Sequence, residues 1–156
     1  IMAITSAICS TFKKELMTAT HNFTTTSGNT FKVALIKANA SQTGTYSAAT
    51  TSYTTITGNS DELANGNGYT TGGNTLTNVT PTNGTSTTTT ALTDFADTSW
   101  TSATFTTRGC VIYNDTASGD PAVMVIDFGA DYSVAGGTFT IQFPTADESN
   151  AILRIT

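Results

Sequence analysis

Apolar residues recur every four positions at the start of the chain. Ile4, Ile8, Phe12 and Leu16, with Cys9 beside them, would share one face of a 3.6-residue-per-turn helix. Thr5 or Ser6 would accept a bond from its first-turn N–H groups. The spacing predicts a helix over 4–18, either packed over a sheet or serving as an arm that docks on a neighbour. After Ser27-Gly28-Asn29 the period changes to two. Phe31, Val33 and Leu35 fall on one face and Lys32 on the other, which predicts a half-buried strand over 30–37. Residues 39–73 are rich in Gly and Asn and read as loops, with short extended pieces near 52–57 and 75–80 and a helical turn at Asp61-Glu62-Leu63-Ala64. Pro81-Thr82-Asn83-Gly84 is a turn signal. The threonine run that follows is β-branched, so 85–92 reads as a strand leading into Leu92 and Phe95.

The second half is plainer. Residues 103–113 end in the apolar run Cys110-Val111-Ile112-Tyr113, and 114–121 form a turn cluster. Residues 122–128 are continuously apolar and predict a strand covered on both faces. Gly136-Gly137 predicts a turn into the alternating stretch 138–143, which Pro144 stops, and 151–155 closes the chain. Seven or eight short strands separated by turn residues point to a mainly β chain: one domain over 1–156, with an N-terminal helix (4–18) and an antiparallel β-sandwich or jelly-roll-like barrel (30–156).

Composition sharpens this reading. Threonine is about a quarter of the 156 residues, whereas charged residues are 11 %, against roughly 25 % in ordinary soluble proteins. That mixture suits exposed strands and excludes a coiled coil or a highly charged disordered tail. The net charge is −5, and the six basic residues are scattered apart from the pair Lys13-Lys14. Nucleic acid and anionic lipid both call for clustered cations, so neither is an expected partner. No stretch approaches the roughly 20 apolar residues of a membrane span, and the first residues lack the basic and apolar regions of a signal peptide.

Candidate chemistry is sparse. Cys9 and Cys110 sit among apolar neighbours and read as buried free thiols. The single histidine, His21, has no GxSxG elbow to serve and no second zinc ligand beside it, so it reads as a surface or turn residue. Asp94 and Asp97 flank a stretch leading to Trp100, but residues three apart in a strand do not share a face. These carboxylates are expected to bond their own turn backbone, with Trp100 in the core. Gly72-Gly73 and Gly136-Gly137 lack the pattern of a phosphate loop, and Asn114, Asp115 and Asp120 crowd one turn without EF-hand spacing. No cofactor and no catalysis are expected. Tyr46, Tyr53 and Tyr69, placed in Gly-rich loops, are the candidates for a sugar-stacking platform.

The stretches Asp94-Phe95-Ala96-Asp97-Thr98-Ser99-Trp100 and Ala103-Thr104-Phe105-Thr106-Thr107-Arg108-Gly109-Cys110-Val111-Ile112-Tyr113-Asn114 resemble a family of small tailed-bacteriophage virion proteins. So do Val125-Ile126-Asp127-Phe128-Gly129, Gly137-Thr138-Phe139-Thr140-Ile141-Gln142-Phe143-Pro144, Ala3-Ile4-Thr5-Ser6-Ala7-Ile8-Cys9 and Gly68-Tyr69-Thr70-Thr71-Gly72-Gly73-Asn74-Thr75-Leu76. The resemblance implies a structural, non-enzymatic role, placed as a head decoration or cement protein on the outer surface of the capsid. Its partners would be the major capsid protein and further copies of itself, a trimer among the options. Ile4, Ile8, Phe12 and Leu16 are then the candidate docking residues. The alternatives are a tail, fibre or carbohydrate-binding module using Tyr46, Tyr53 and Tyr69, and an extracellular filament or pilus subunit with strand exchange between subunits through the N-terminal segment.

Overall fold

The computed structural model describes residues 3–86 and 89–156. Its elements are β1 (Ala7–Ile8), α1 (Ser10–Met17), β2 (Phe31–Lys37), α2 (Thr54–Gly58), β3 (Asn74–Thr75), β4 (Asn78–Asn83), β5 (Ala91–Phe95), β6 (Thr98–Asn114), β7 (Ala122–Ile141) and β8 (Leu153–Ile155). All pairings between these strands are antiparallel. One sheet runs β1-β7-β6-β2-β3 and the other β4-β5-β8, and neither closes into a barrel among the described residues. The sheets meet through aromatic rings: Phe31 of β2 lies 5.7 Å from Phe95 of β5, and Phe23 stacks on Phe31 at 4.3 Å. The mainly β, antiparallel architecture expected from the alternation is the one found, as a sandwich rather than a barrel.

Several local expectations are corrected. The helix starts at Ser10 rather than near residue 4. Upstream of it the chain is extended: Ile4 bridges to Tyr46, Thr5 N–H donates to the Tyr46 carbonyl at 2.8 Å, and Ala7 and Ile8 pair with Val125 and Met124 of β7. A free sheet edge offers these residues ladder bonds that a helix would forfeit, and β-branched Ile4 and Ile8 suit an extended backbone. Strand β2 is covered on both faces, since Ala34 and Ile36 are as buried as Val33 and Leu35. Residues 54–58 are helical rather than extended. Residues 61–63 are extended rather than helical, because they pair with the end of β2: Lys37 N–H donates to Asp61 O and Leu63 N–H to Leu35 O. The 81–84 turn signal falls largely within β4. Part of the expected 85–92 strand, Thr87 and Thr88, lies outside the described residues, and β5 begins at Ala91.

The largest difference is at Gly136-Gly137. No turn forms there, and β7 runs through as one 20-residue strand against β6. Gly136 absorbs a bulge with φ 65°, standing between the pairs Ala103↔Gly137 and Thr104↔Ala135. β2 reaches only to Thr107, so β6 and β7 continue beyond it as a two-stranded arm. One face of the arm carries Trp100, Phe105 and Phe139, whose rings contact one another. The other carries hydroxyl pairs, Ser99 with Thr140 and Thr106 with Ser133, each at 2.7 Å.

Gly73 supports β3 in a way only glycine can. Its φ is 75°, and a Cβ there would overlap the Val33 carbonyl. Gly73→Ala is expected to cost about 2–3 kcal/mol in urea unfolding, whereas Gly58→Ala, in a helix with open space, should gain about 0.5–1 kcal/mol.

Candidate functional site

The Gly-rich loops that hold the tyrosines are anchored from within by two adjacent carboxylates. Successive residues of extended backbone point to opposite sides, so Asp61 and Glu62 reach different loops. Asp61 accepts from the Thr43 and Gly44 N–H groups at 2.8 and 2.7 Å and from the Tyr46 hydroxyl at 2.5 Å. Glu62 accepts from the hydroxyls of Tyr53 at 2.6 Å and Tyr69 at 2.7 Å, and from Gly72 N–H at 2.6 Å. The Tyr69 hydroxyl also accepts from Leu35 N–H, which ties this loop to β2. Tyr53 stacks on Tyr113 at 4.4 Å. Burial pushes the Tyr46, Tyr53 and Tyr69 phenols up, and their carboxylate partners add to the effect, so all three stay protonated donors.

This corrects the sugar-platform expectation. Tyr46 and Tyr69 are buried, and Tyr53 is half-buried against Tyr113, so their rings and hydroxyls are committed to the fold. The sequence signal for this role was present but easily passed over: two neighbouring acids in a chain with so few charges.

His21 is also inside rather than at the surface. Its side chain is fully buried, against Phe12 at 4.8 Å and Phe31 at 6.2 Å between ring centres. Asn114 Oδ1 accepts from the Thr116 and Ala117 N–H groups, which fixes the amide so that its Nδ2 donates to His21 Nδ1 at 3.1 Å. His21 Nε2–H then donates to Glu15 at 2.8 Å. The ring therefore fastens α1 to the sheet. Asp94 accepts from the N–H of its neighbour Phe95, as expected, but also from Ile152 N–H, and Asp97 accepts from Phe143 N–H, so both reach backbone distant in the chain rather than only their own turn. Trp100 is in the core. Asn114 caps its own turn, and Asp115 pairs with Lys32 at 3.2 Å. Among the described residues, no group of three or more His, Cys, Asp or Glu side chains gathers as a metal site. Cys9 and Cys110 are free and buried, and burial pushes the Cys9 thiol up to about 12, with Glu15 adding to the shift.

Two apolar grooves remain open to solvent. The first, of about 460 Å³, lies between α1 and the inner face of the smaller sheet. Leu16 lines it from the helix, and Leu92, Leu153 and Ile155 from the strands. Next to Leu16, Met17 is 83 % exposed, and Ile155 is 62 % exposed. Of the four candidate docking residues on the N-terminal segment, Ile4 and Phe12 are buried in the protein's own core, and Ile8 is half-buried on β1. Leu16 alone is half-buried at the rim of this groove. The opposite wall was not legible in the sequence, since the 151–155 run reads as an ordinary closing core strand.

The second groove, of about 370 Å³, runs beside β7 and is lined by Phe128, Tyr132, Phe139 and Phe143 with Ile152. Tyr132 is 51 % exposed. Like Tyr113 it is not among the binding candidates expected from the sequence, yet it is the tyrosine most open to solvent.

Fold and surfaces together define a β-sandwich whose acidic and phenolic groups are largely engaged internally and which carries two open apolar grooves. No described helix is long and apolar enough to cross a membrane. Comparison with protein-family models, curated proteins and solved structures gave no match.

Proposed function

We propose that this chain is a non-enzymatic structural protein of a tailed-phage virion, bound to the outside of the head as a decoration or cement subunit. Its support is the resemblance carried by residues 94–114, 125–129 and 137–144, together with the mainly β fold. The observation that carries it furthest is the apolar groove between α1 and β8, lined by Leu16 and by the exposed Ile155. Fully burying a side chain of this size contributes about 1.5–3 kcal/mol, so the two together supply a few kcal/mol per subunit, which many copies on one shell would multiply. The major capsid protein is the proposed occupant. A tail-fibre or glycan-binding role loses its main motive once Tyr46 and Tyr69 are found buried.

Purified protein added to heads that lack it tests the proposal. The wild type should bind and raise the temperature at which the heads rupture. Ile155→Asp, at a side chain 62 % exposed in the groove wall, should leave folding unaffected and weaken binding by about tenfold or more. Unchanged binding by Ile155→Asp would remove this groove as the docking face. Binding to tails alone would overturn the head placement.

A further inference from the structure

We infer that the outer edge of β7 from Tyr132 to Ile141 is a self-association edge, pairing antiparallel with the same edge of a second copy. Two independent features point to it. The first is the backbone. β7 has β6 on one side, but on the other it has only the two residues of β1, at Met124 and Val125. Past Asp127, which Ser6 covers, the outer side of β7 has no strand partner among the described residues. An open edge exposes unpaired N–H and C=O groups, and proteins blunt such edges with lysine, proline, bulges or short length. Between Tyr132 and Ile141 there is no lysine, no proline and no charged residue at all. The devices present are the bulge at Gly136 and a second register shift opposite Thr138, where β6 carries an extra residue between Trp100 and Ala103.

The second feature is the apolar groove directly beside this edge, with Phe128, Tyr132, Phe139 and Phe143 in its walls. An open edge flanked by an apolar groove is what an added strand uses, the edge for main-chain bonds and the groove for alternate side chains. The occupant best matched to both is a second copy. Antiparallel pairing about Ala135-Gly136 sets Tyr132 of each copy across from Phe139 of the other. It also brings the small residues Ala135, Gly136 and Gly137 together at the two-fold axis, where the strands come closest. The absence of charge from the strip avoids like-charge repulsion between identical chains. The matched stretch is the eight residues Tyr132–Phe139 of each copy, about 26 Å at about 3.3 Å per residue, with the apolar groove beside it.

Sedimentation of the full-length chain over a concentration series tests this. The wild type should form a dimer. Ala135 is exposed, so Ala135→Glu should leave the fold intact by circular dichroism while placing two carboxylates across the axis, raising the dimer dissociation constant about tenfold or more. Ala135→Cys should become disulfide-linked on mild oxidation, since the two Cα atoms would lie about 6 Å apart, whereas Met17→Cys should not. A monomeric wild type at its highest soluble concentration would overturn the inference. So would a dimer indifferent to Ala135→Glu, or cross-linking at Met17→Cys in place of Ala135→Cys. None of these results depends on head binding, so failure here and failure of the decoration role are read separately.

Discussion

Replacing Asp61 with alanine is expected to cost about 3–5 kcal/mol of folding stability, because each buried donor left unpaired costs roughly 1–3 kcal/mol. The orphaned donors are the Tyr46 hydroxyl and the Gly44 and Thr43 N–H groups. Against a total stability of about 5–15 kcal/mol, that loss decides whether the loop at 43–46 stays docked. Asp61→Asn should recover little, since its amide nitrogen must face donors. The effect has a pH signature. Burial alone would raise the Asp61 carboxyl, but the bonds from Tyr46, Gly44 and Thr43 outweigh it and hold it below its ordinary value of 3.8. A depressed folded value means the contribution is complete above that ordinary value and is lost as pH falls through the folded one. Asp94 acts with the opposite sign: burial raises its carboxyl despite bonds from Phe95 and Ile152, so its protonation in acid favours the folded state. Urea unfolding at neutral pH and in acid checks both statements. The wild type should lose stability on acidification, and Asp61→Ala should show a smaller loss from an already lower start. Equal acid slopes in the two proteins would show that Asp61 is not the group responsible.

Phe31→Ala is expected to be comparably damaging, at about 3–5 kcal/mol. Phe31 is fully buried where the layers meet: Phe23 stacks on it at 4.3 Å, and Phe95 and His21 lie 5.7 and 6.2 Å away. Truncating it removes the ring that joins β2, β5 and the segment carrying His21, and leaves a cavity that this stack cannot refill without moving β2. Phe31→Leu should cost appreciably less, because it keeps most of the volume. Tyr132→Ala, on the open face of the arm, should leave monomer stability within about 0.5 kcal/mol of the wild type. Thermal unfolding of the three variants measures this ordering.

These contrasts show where the sequence was informative. The strands were legible wherever burial imposed alternation or a continuous apolar run, as at Phe31 to Leu35, Cys110 to Tyr113 and Ala122 to Val125. What failed depended on partners distant in the chain. The four-residue spacing of Ile4 and Ile8 imitates a helix, but the free edge of β7 and the Tyr46 backbone claim those residues as extended chain. Gly136-Gly137 carries a turn signature, yet β6 supplies a partner along that whole stretch, and the left-handed glycine becomes a bulge. The tyrosines looked exposed because their loops are rich in glycine and asparagine. Their acceptors, Asp61 and Glu62, lie several residues away and become visible only once 61–63 is laid along β2. The open surface was half legible: Leu16 was marked by its helix face, whereas Ile155 and Tyr132 carry no local sign that they remain uncovered.

The proposal that the chain decorates the outside of a phage head is tested most directly by cryo-electron microscopy of the intact particle. It predicts density for a β-sandwich of this shape on the outer capsid surface, with the α1–β8 groove turned to the shell. Density confined to the tail, or particles that lack the chain altogether, would contradict it.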